Sequence, residues 1–177
     1  ALPIWILDTL TEEAAKLDPS DTTVLALDWL NGRRTPFADQ ELKGALIGIT
    51  LGTDAPRLFR ALVEATVFGS RAIVERFRDE GIEIRQVIAQ GGIPNKNEFV
   101  MQVTADVLNM PIKVVASSQA VALGAAIFGA TAAGVYPNIV EAQKKMASDY
   151  AHTFVPNPDR VKHYDQLYEK YLEVGEM

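Results

Sequence analysis

The 177-residue sequence contains no cysteine. That absence excludes a disulfide scaffold, thiolate catalysis and a Cys-ligated zinc site. Histidine is almost as scarce: His152 and His163 both lie near the end of the chain. A His-based metal site and a Ser/His/Asp arrangement therefore have little to draw on. The phosphate-cradling pattern GxxxxGK[ST] is missing, and so is the dinucleotide pattern GxGxxG. No apolar run approaches the ~18–20 residues that span a bilayer. Positive charge is also short: the net charge is -6 and the pI about 4.9. The electrostatic footprints of nucleic-acid binding and of docking on an anionic membrane are thus absent. No signal peptide is recognisable, so the expected location is the cytoplasm.

What remains is an ordinary globular composition, with 48% hydrophobic and 23% charged residues. The length suits one domain or one large fragment of a domain. The chain opens on Ala1-Leu2-Pro3-Ile4-Trp5, an apolar start that resembles the interior of a longer polypeptide.

Patterning predicts alternating elements. A helix is expected over Thr11–Leu17, capped by Thr11 and stopped by Pro19. Strands are expected over Thr23–Leu30 and Ala45–Leu51. Between them lies the turn-rich basic loop Gly32-Arg33-Arg34-Thr35-Pro36. A long helix follows, capped by Thr53 or Asp54, with Pro56 in its first turn and Gly81 as its stop. Its expected apolar stripe is Leu58, Phe59, Leu62, Val63, Thr66, Val67, Ile73, Val74 and Phe77. A buried strand over Ile84–Ala89, a tight loop Gln90–Pro94 and a helix over Asn95–Leu108 come next. That helix is expected to turn Phe99, Val100, Val103, Val107 and Leu108 inward. A strand over Ile112–Val115 and a small-residue helix over Val121–Ala133 complete a β-α-β-α series, which implies parallel strands. The tail reads as a helix over Ile139–Ala147, a break at Pro156 and Pro158, and a helix over Asp159–Glu173 carrying Val161, Tyr164, Leu167, Tyr168 and Tyr171.

Three features could carry chemistry. Gly91-Gly92, between a strand and a helix, lets a backbone come close to a ligand. The helix behind it offers free N–H groups to a phosphate or other polar group. The pair is equally compatible with a plain strand-to-helix turn. The small-residue helix from Val121 to Gly134 suits either tight packing or a sliding hinge. Arg33 and Arg34 suit either an anion contact or a solvated turn. Among the acids Asp8, Asp28, Asp54, Glu64, Asp106 and Glu141, none sits in a general-base motif, and Asp28 reads as structural.

The order of these features carries a resemblance. The run LALDWLNGRRTPFADQELKGALIGITLGTDAPRLFRALVEATVFGSRAIVE resembles the FGGY family of carbohydrate kinases. It contains the GxR-[ST]-P loop at Gly32–Pro36 and the G-x-x-x-G-[ILV]-T strand at Gly44–Thr50. VIAQGGIPNKN resembles the family's adenosine motif, and ALGAAIFGATAAG its second connecting helix, which packs on a matching helix of the other domain. ALDW-x-NGRRTPFA, GG-x-P-x-KN followed by MQ, and ASSQAVALGAAIFGA are most similar to the branch that phosphorylates ribulose. Leu58 and Gly69 depart from the general family pattern, which has a polar residue at the first and an acidic residue or Gln at the second, but agree with that branch.

The resemblance implies an α/β fold, the ribonuclease-H-like, actin-like ATPase domain that is the second domain of a sugar kinase, complete or incomplete. It implies ATP as cofactor, with Mg2+ expected in the full-length enzyme. ATP would lie between two domains, and the sugar would be held mostly by the preceding one. Gly91 and Gly92 would pack their backbones against the ribose and the α-phosphate side, and Asn97 would line the adenine pocket. The phosphate loops and the catalytic Asp belong to preceding sequence, so no catalytic residue and no metal ligand is expected in this chain, and the fragment alone is expected to be inactive. Residues 1–136 would form the nucleotide-binding part and residues 137–177 a helical tail packed on it. The expected partners are ATP and a sugar, not nucleic acid or membrane, with a homodimer left open. Another pentulose or hexulose kinase of the family and a non-enzymatic actin-like module are the alternatives.

Overall fold

The computed structural model describes residues 4–176. The start of the apolar opening, Ala1–Pro3, therefore lies outside the described residues. Helix α1 spans Ile4–Lys16, followed by a 3-10 turn over Pro19–Asp21. Thr11 is thus mid-helix and caps nothing; its hydroxyl donates to the carbonyl of Leu7 at 2.8 Å. The expected strands contract to β1 Leu25–Leu27 and β2 Ala45–Ile47, which pair antiparallel.

Helix α2, Ala55–Asp79, is set by its ends as the sequence predicts. The Asp54 carboxylate accepts from the Arg57 N–H, Pro56 sits in the first turn, and Gly81 follows at φ 76°. Such a cap is worth about 1 kcal/mol. Its buried face differs from the expected stripe. Arg60, Ala61, Glu64, Ala65, Val67 and Phe68 are buried, whereas Thr66 and Phe77 are exposed. The wide stripe hid this, because nearly every turn of α2 offers an apolar residue on several sides.

Strand β3 is Val87–Ala89 and β4 is Ile112–Val115, and these two pair in parallel. The single helix expected between them is broken at Asn97 into α3, Gly92–Lys96, and α4, Glu98–Leu108. On α4, Val103, Val107 and Leu108 are buried as expected, while Phe99 and Val100 are half-buried. Helix α5 spans Ala120–Ala132 and α6 spans Ile139–Met146.

The tail is not purely helical. Tyr150–Phe154 forms β5, which pairs antiparallel with β4 and completes a three-stranded sheet β3-β4-β5. Sequence patterning missed it because its residues are mostly exposed and show no apolar alternation. Helix α7, Pro158–Gly175, buries Val161, Tyr164, Tyr168 and Tyr171, as the tail periodicity predicts.

Two cores result. The larger gathers Val24–Leu27, Trp29, Ala61, Ala65, Phe68, Val103, Val107 and the three α7 tyrosines. The smaller gathers Met101, Ala105, Leu108, Met110, Ile112 and Val114 under the three-stranded sheet. At the edge of the larger core lies a buried polar cluster. Arg60 Nε donates to Glu64 Oε1 at 2.7 Å, and Arg60 Nη2 donates to the Tyr164 hydroxyl at 2.9 Å. That hydroxyl donates to Glu64 Oε1 at 3.0 Å. Arg60 Nη1 also donates to the carbonyls of Ala14 at 2.9 Å and Leu17 at 2.8 Å, pinning the end of α1. Burial pushes the Glu64 carboxyl up, against the pull of the Arg60 charge.

Candidate functional site

Because β3 and β4 are parallel, their carboxyl ends lie on the same edge of the sheet, where open α/β sheets present ligand loops. The loop after β3 carries Gly91-Gly92, and the loop after β4 carries Ser117–Gln119 ahead of α5. Gly91 has φ 107° and ψ −164°, a conformation essentially reserved for glycine. A β-carbon built on Gly91 or Gly92 would meet nothing within 4 Å. The glycines therefore serve backbone shape at Gly91 and open space at both, not close packing within the chain. The loop is closed by Asn95, whose Nδ2 donates to the Gly91 carbonyl at 2.9 Å. Ile93, 62% exposed, sets an apolar side chain on the loop's outer face. Sequence reading passed over it, since an isolated Ile in a loop has no periodic signal.

Asn97 stands at the joint between α3 and α4. Its Oδ1 accepts from the Val100 N–H at 3.0 Å and its Nδ2 donates to Thr11 Oγ1 at 3.4 Å. The helix that directly follows the glycines is only the short α3. The longer α4 is already capped by Asn97 and has Glu98 in its first turn. The terminus of α4 is therefore already capped from within the chain, its Val100 N–H being taken by the Asn97 side chain.

The remaining candidates lie elsewhere. Arg33 and Arg34 border a groove of about 620 Å³ with Trp29, Phe37, Gly69 and Tyr171. Arg33 is pinned: its Nε donates to the Phe37 carbonyl at 2.6 Å, and its guanidinium lies 5.2 Å from the Trp29 ring centroid. Asp28 lines the same groove. Asp54 caps α2, Glu64 pairs with Arg60, and Glu141 pairs with Lys144. Asp106 accepts from Gln102 Nε2 and from the Asn157 N–H, both at 2.8 Å. Among the described residues, no group of three or more His, Cys, Asp or Glu could hold a metal ion. No helix among them is long and apolar enough to cross a membrane.

Comparison with known proteins gives these elements a setting. Residues 6–133 match the family model described as the FGGY family of carbohydrate kinases, C-terminal domain. A ribulokinase from Bacillus licheniformis is 47% identical over 175 residues, covering 97% of this chain and 32% of the relative. The chain thus spans about a third of the length of the curated relatives it matches. Among solved structures, a ligand-bound xylulose kinase from Lactobacillus acidophilus superposes with TM-score 0.81 at 23% identity, covering 94% of this chain and 34% of that one. Glycerol kinase from Plasmodium falciparum with ADP superposes with TM-score 0.76 at 23% identity, again over 94% of this chain and 33% of the other. These neighbours and the mixed α/β architecture agree with the actin-like ATPase fold expected from the sequence.

Proposed function

The chain belongs to the FGGY family of carbohydrate kinases, and from that premise we propose that it forms the adenosine-holding part of an enzyme that phosphorylates ribulose with ATP. The observation that carries this is the Gly91-Gly92 turn: a glycine-only conformation at Gly91, at the carboxyl end of a parallel strand, with open space where β-carbons would stand at both glycines. An open backbone of this kind admits a ribose or an α-phosphate at contact distance. The exposed Ile93 beside it supplies an apolar surface of the sort a base face covers. The amide of Asn97 supplies a donor and an acceptor of the sort an adenine edge pairs with. The sugar follows from the relatives, which carry the name ribulokinase at 47% and 48% identity.

Phosphoryl transfer depends mainly on positioning and on charge stabilisation. In this division of labour the chain grips the nucleoside, and the sugar and the base that takes its hydroxyl proton lie on preceding sequence. Mg2+ is proposed to arrive with the nucleotide phosphates, since the described residues offer no ligand cluster of their own. A kinase drawing on the ATP pool is proposed to work in the cytoplasm.

The test is Gly92→Leu in the complete enzyme. A β-carbon there meets nothing within 4 Å in the chain itself, so the substitution starts into open space and should obstruct a ligand rather than the fold. The Michaelis constant for ATP should rise well above any change in that for ribulose. An unchanged ATP constant refutes the assignment. Activity of the unaltered enzyme on xylulose or glycerol, but not on ribulose, refutes the choice of sugar alone.

A further inference from the structure

We propose that Thr11, on α1, is a positioning residue that fixes the Asn97 amide for the nucleotide, an inference that rests on the adenosine reading above. Thr11 lies 86 positions from Asn97 in sequence and reaches it only through the fold. Its hydroxyl proton is committed, because Thr11 Oγ1 donates to the Leu7 carbonyl at 2.8 Å. What it turns toward Asn97 is therefore a lone pair, and Asn97 Nδ2 donates to it at 3.4 Å. On the other side, Asn97 Oδ1 accepts from the Val100 N–H at 3.0 Å.

These two contacts specify one orientation of the amide. A flipped amide would set its NH2 against the Val100 N–H, and its oxygen against a hydroxyl with no proton to give. In the observed orientation, each end of the Asn97 amide makes one bond among the described residues, which leaves one N–H and one carbonyl lone pair for a ligand. A primary amide with that pair free matches the adjacent donor and acceptor of adenine's N6/N7 edge. Thr11 thus selects the adenine-competent form of Asn97 before the nucleotide arrives. Its own position is set by buried structure: Arg60 holds the Ala14 and Leu17 carbonyls at the end of α1, and is itself paired with Glu64.

The long Asn97–Thr11 distance marks a weak bond, so the expected effect is moderate. In the complete enzyme, Thr11→Val should raise both the Michaelis constant for ATP and the dissociation constant of a fluorescent ADP analogue, by about two- to ten-fold. The constant for ribulose should not move. Thr11→Ser, which keeps the hydroxyl, should restore both nucleotide constants. Thr11→Ala, a better helix former, gives a second deletion of the hydroxyl should the valine variant fold poorly. Combining Thr11→Val with Asn97→Ala should weaken nucleotide binding no further than Asn97→Ala alone. If Asn97→Ala weakens nucleotide binding while Thr11→Val and Thr11→Ala do not, the role of Thr11 is overturned and the adenosine reading stands. Full additivity of the two substitutions overturns the role of Thr11 in the same way. If Asn97→Ala itself leaves the nucleotide constants unchanged, the placing of Asn97 in the adenine pocket fails, and the inference fails with it.

Discussion

The side of the molecule built on α2 and α7 and the side bearing the glycine loop and α5 are made to different rules. On the first, Phe68 and Tyr164 are both 0% exposed, Arg60 and Glu64 are buried as a pair, and Trp29 Nε1 donates to the Tyr171 hydroxyl at 3.1 Å. On the second, Ile93, Val121 and Phe128 are exposed, and β-carbons built on Gly91, Gly92, Gly124 or Gly129 would touch nothing. Residues on the first side are constrained by their own chain. Residues on the second are held by little packing among the described residues, and the family-like motifs VIAQGGIPNKN and ALGAAIFGATAAG fall on that side. Substitutions should accordingly cost stability on one side and ligand affinity on the other.

The largest stability losses belong to the first side. Arg60→Met removes one partner of a buried ion pair and leaves the Glu64 carboxylate, the Tyr164 hydroxyl and the Ala14 carbonyl short of a donor. Breaking such a pair costs about 3–5 kcal/mol. Phe68→Ala, in the aromatic cluster with Tyr164, Tyr168 and Tyr171, should cost a similar ~3–5 kcal/mol. Both are measured by denaturant unfolding. A loss below about 1 kcal/mol for either would erase the contrast between the two sides.

Alkaline pH probes the same cluster without mutation. Burial pushes the Tyr164, Tyr168 and Tyr171 hydroxyls up from the ordinary 10.0, with Glu64 adding to the effect on Tyr164 and Glu75 to that on Tyr168. Hydroxyls whose pKa is higher folded than unfolded support the fold fully below the unfolded value. That support falls as pH climbs through about 10 toward the folded values, because the unfolded chain ionises first. Unfolding midpoints should therefore drop steeply above about pH 10. Tyrosinate absorbance should grow together with the loss of far-ultraviolet helix signal. Ionisation of these tyrosines in a fully folded chain would contradict their burial.

Legibility in the sequence follows the same division. The ends of α2 were readable because Asp54, Pro56 and Gly81 act locally, through a side-chain cap, a fixed φ and a left-handed stop. The tyrosine face of α7 was readable because one polar helix carries one clean stripe. The turn at Gly91 was readable because a positive φ favours glycine whatever surrounds it. What escaped depends on partners distant in sequence. The Arg60–Glu64–Tyr164 cluster looks like surface charge until α7 closes over it, as the Tyr164–Glu64 bond spans 100 positions. The α3–α4 break at Asn97 escaped because Asn is tolerated mid-helix, and only its contact with Val100 turns it into a cap. β5 escaped because pairing with β4, not apolar alternation, makes it a strand.

A smaller effect is expected at the boundary between the two sides. Gly91→Ala forces a β-carbon into φ 107°, ψ −164°, which costs about 1–3 kcal/mol of backbone strain although no atom is in its way. Gly92→Ala, with no positive φ to satisfy and the same open surroundings, should leave stability nearly unchanged. Equal costs at the two positions would mean that the turn relaxes, and that Gly91 is not held by its backbone geometry.

The smallest stability effect should come from Phe128→Ala, and it tests the comparison most directly. By side-chain size Phe128 and Phe68 are identical, and from sequence alone both sit in helices as apolar residues. Phe68 is 0% exposed and Phe128 is 69% exposed. The transfer free energy available to each scales with the area removed from water, and removing Phe128 leaves no internal cavity. Alanine is also the better helix former, which gains a few tenths of a kcal/mol. In the 177-residue chain the two terms should nearly cancel, leaving a change within about 0.5 kcal/mol of zero, against several for Phe68→Ala. If α5 meets a matching surface in the complete enzyme, the same substitution should cost distinctly more there, because the ring is then removed from a buried contact. Equal small costs in both settings would show that α5 stays solvent-facing, and the difference between the two sides would then be one of packing only.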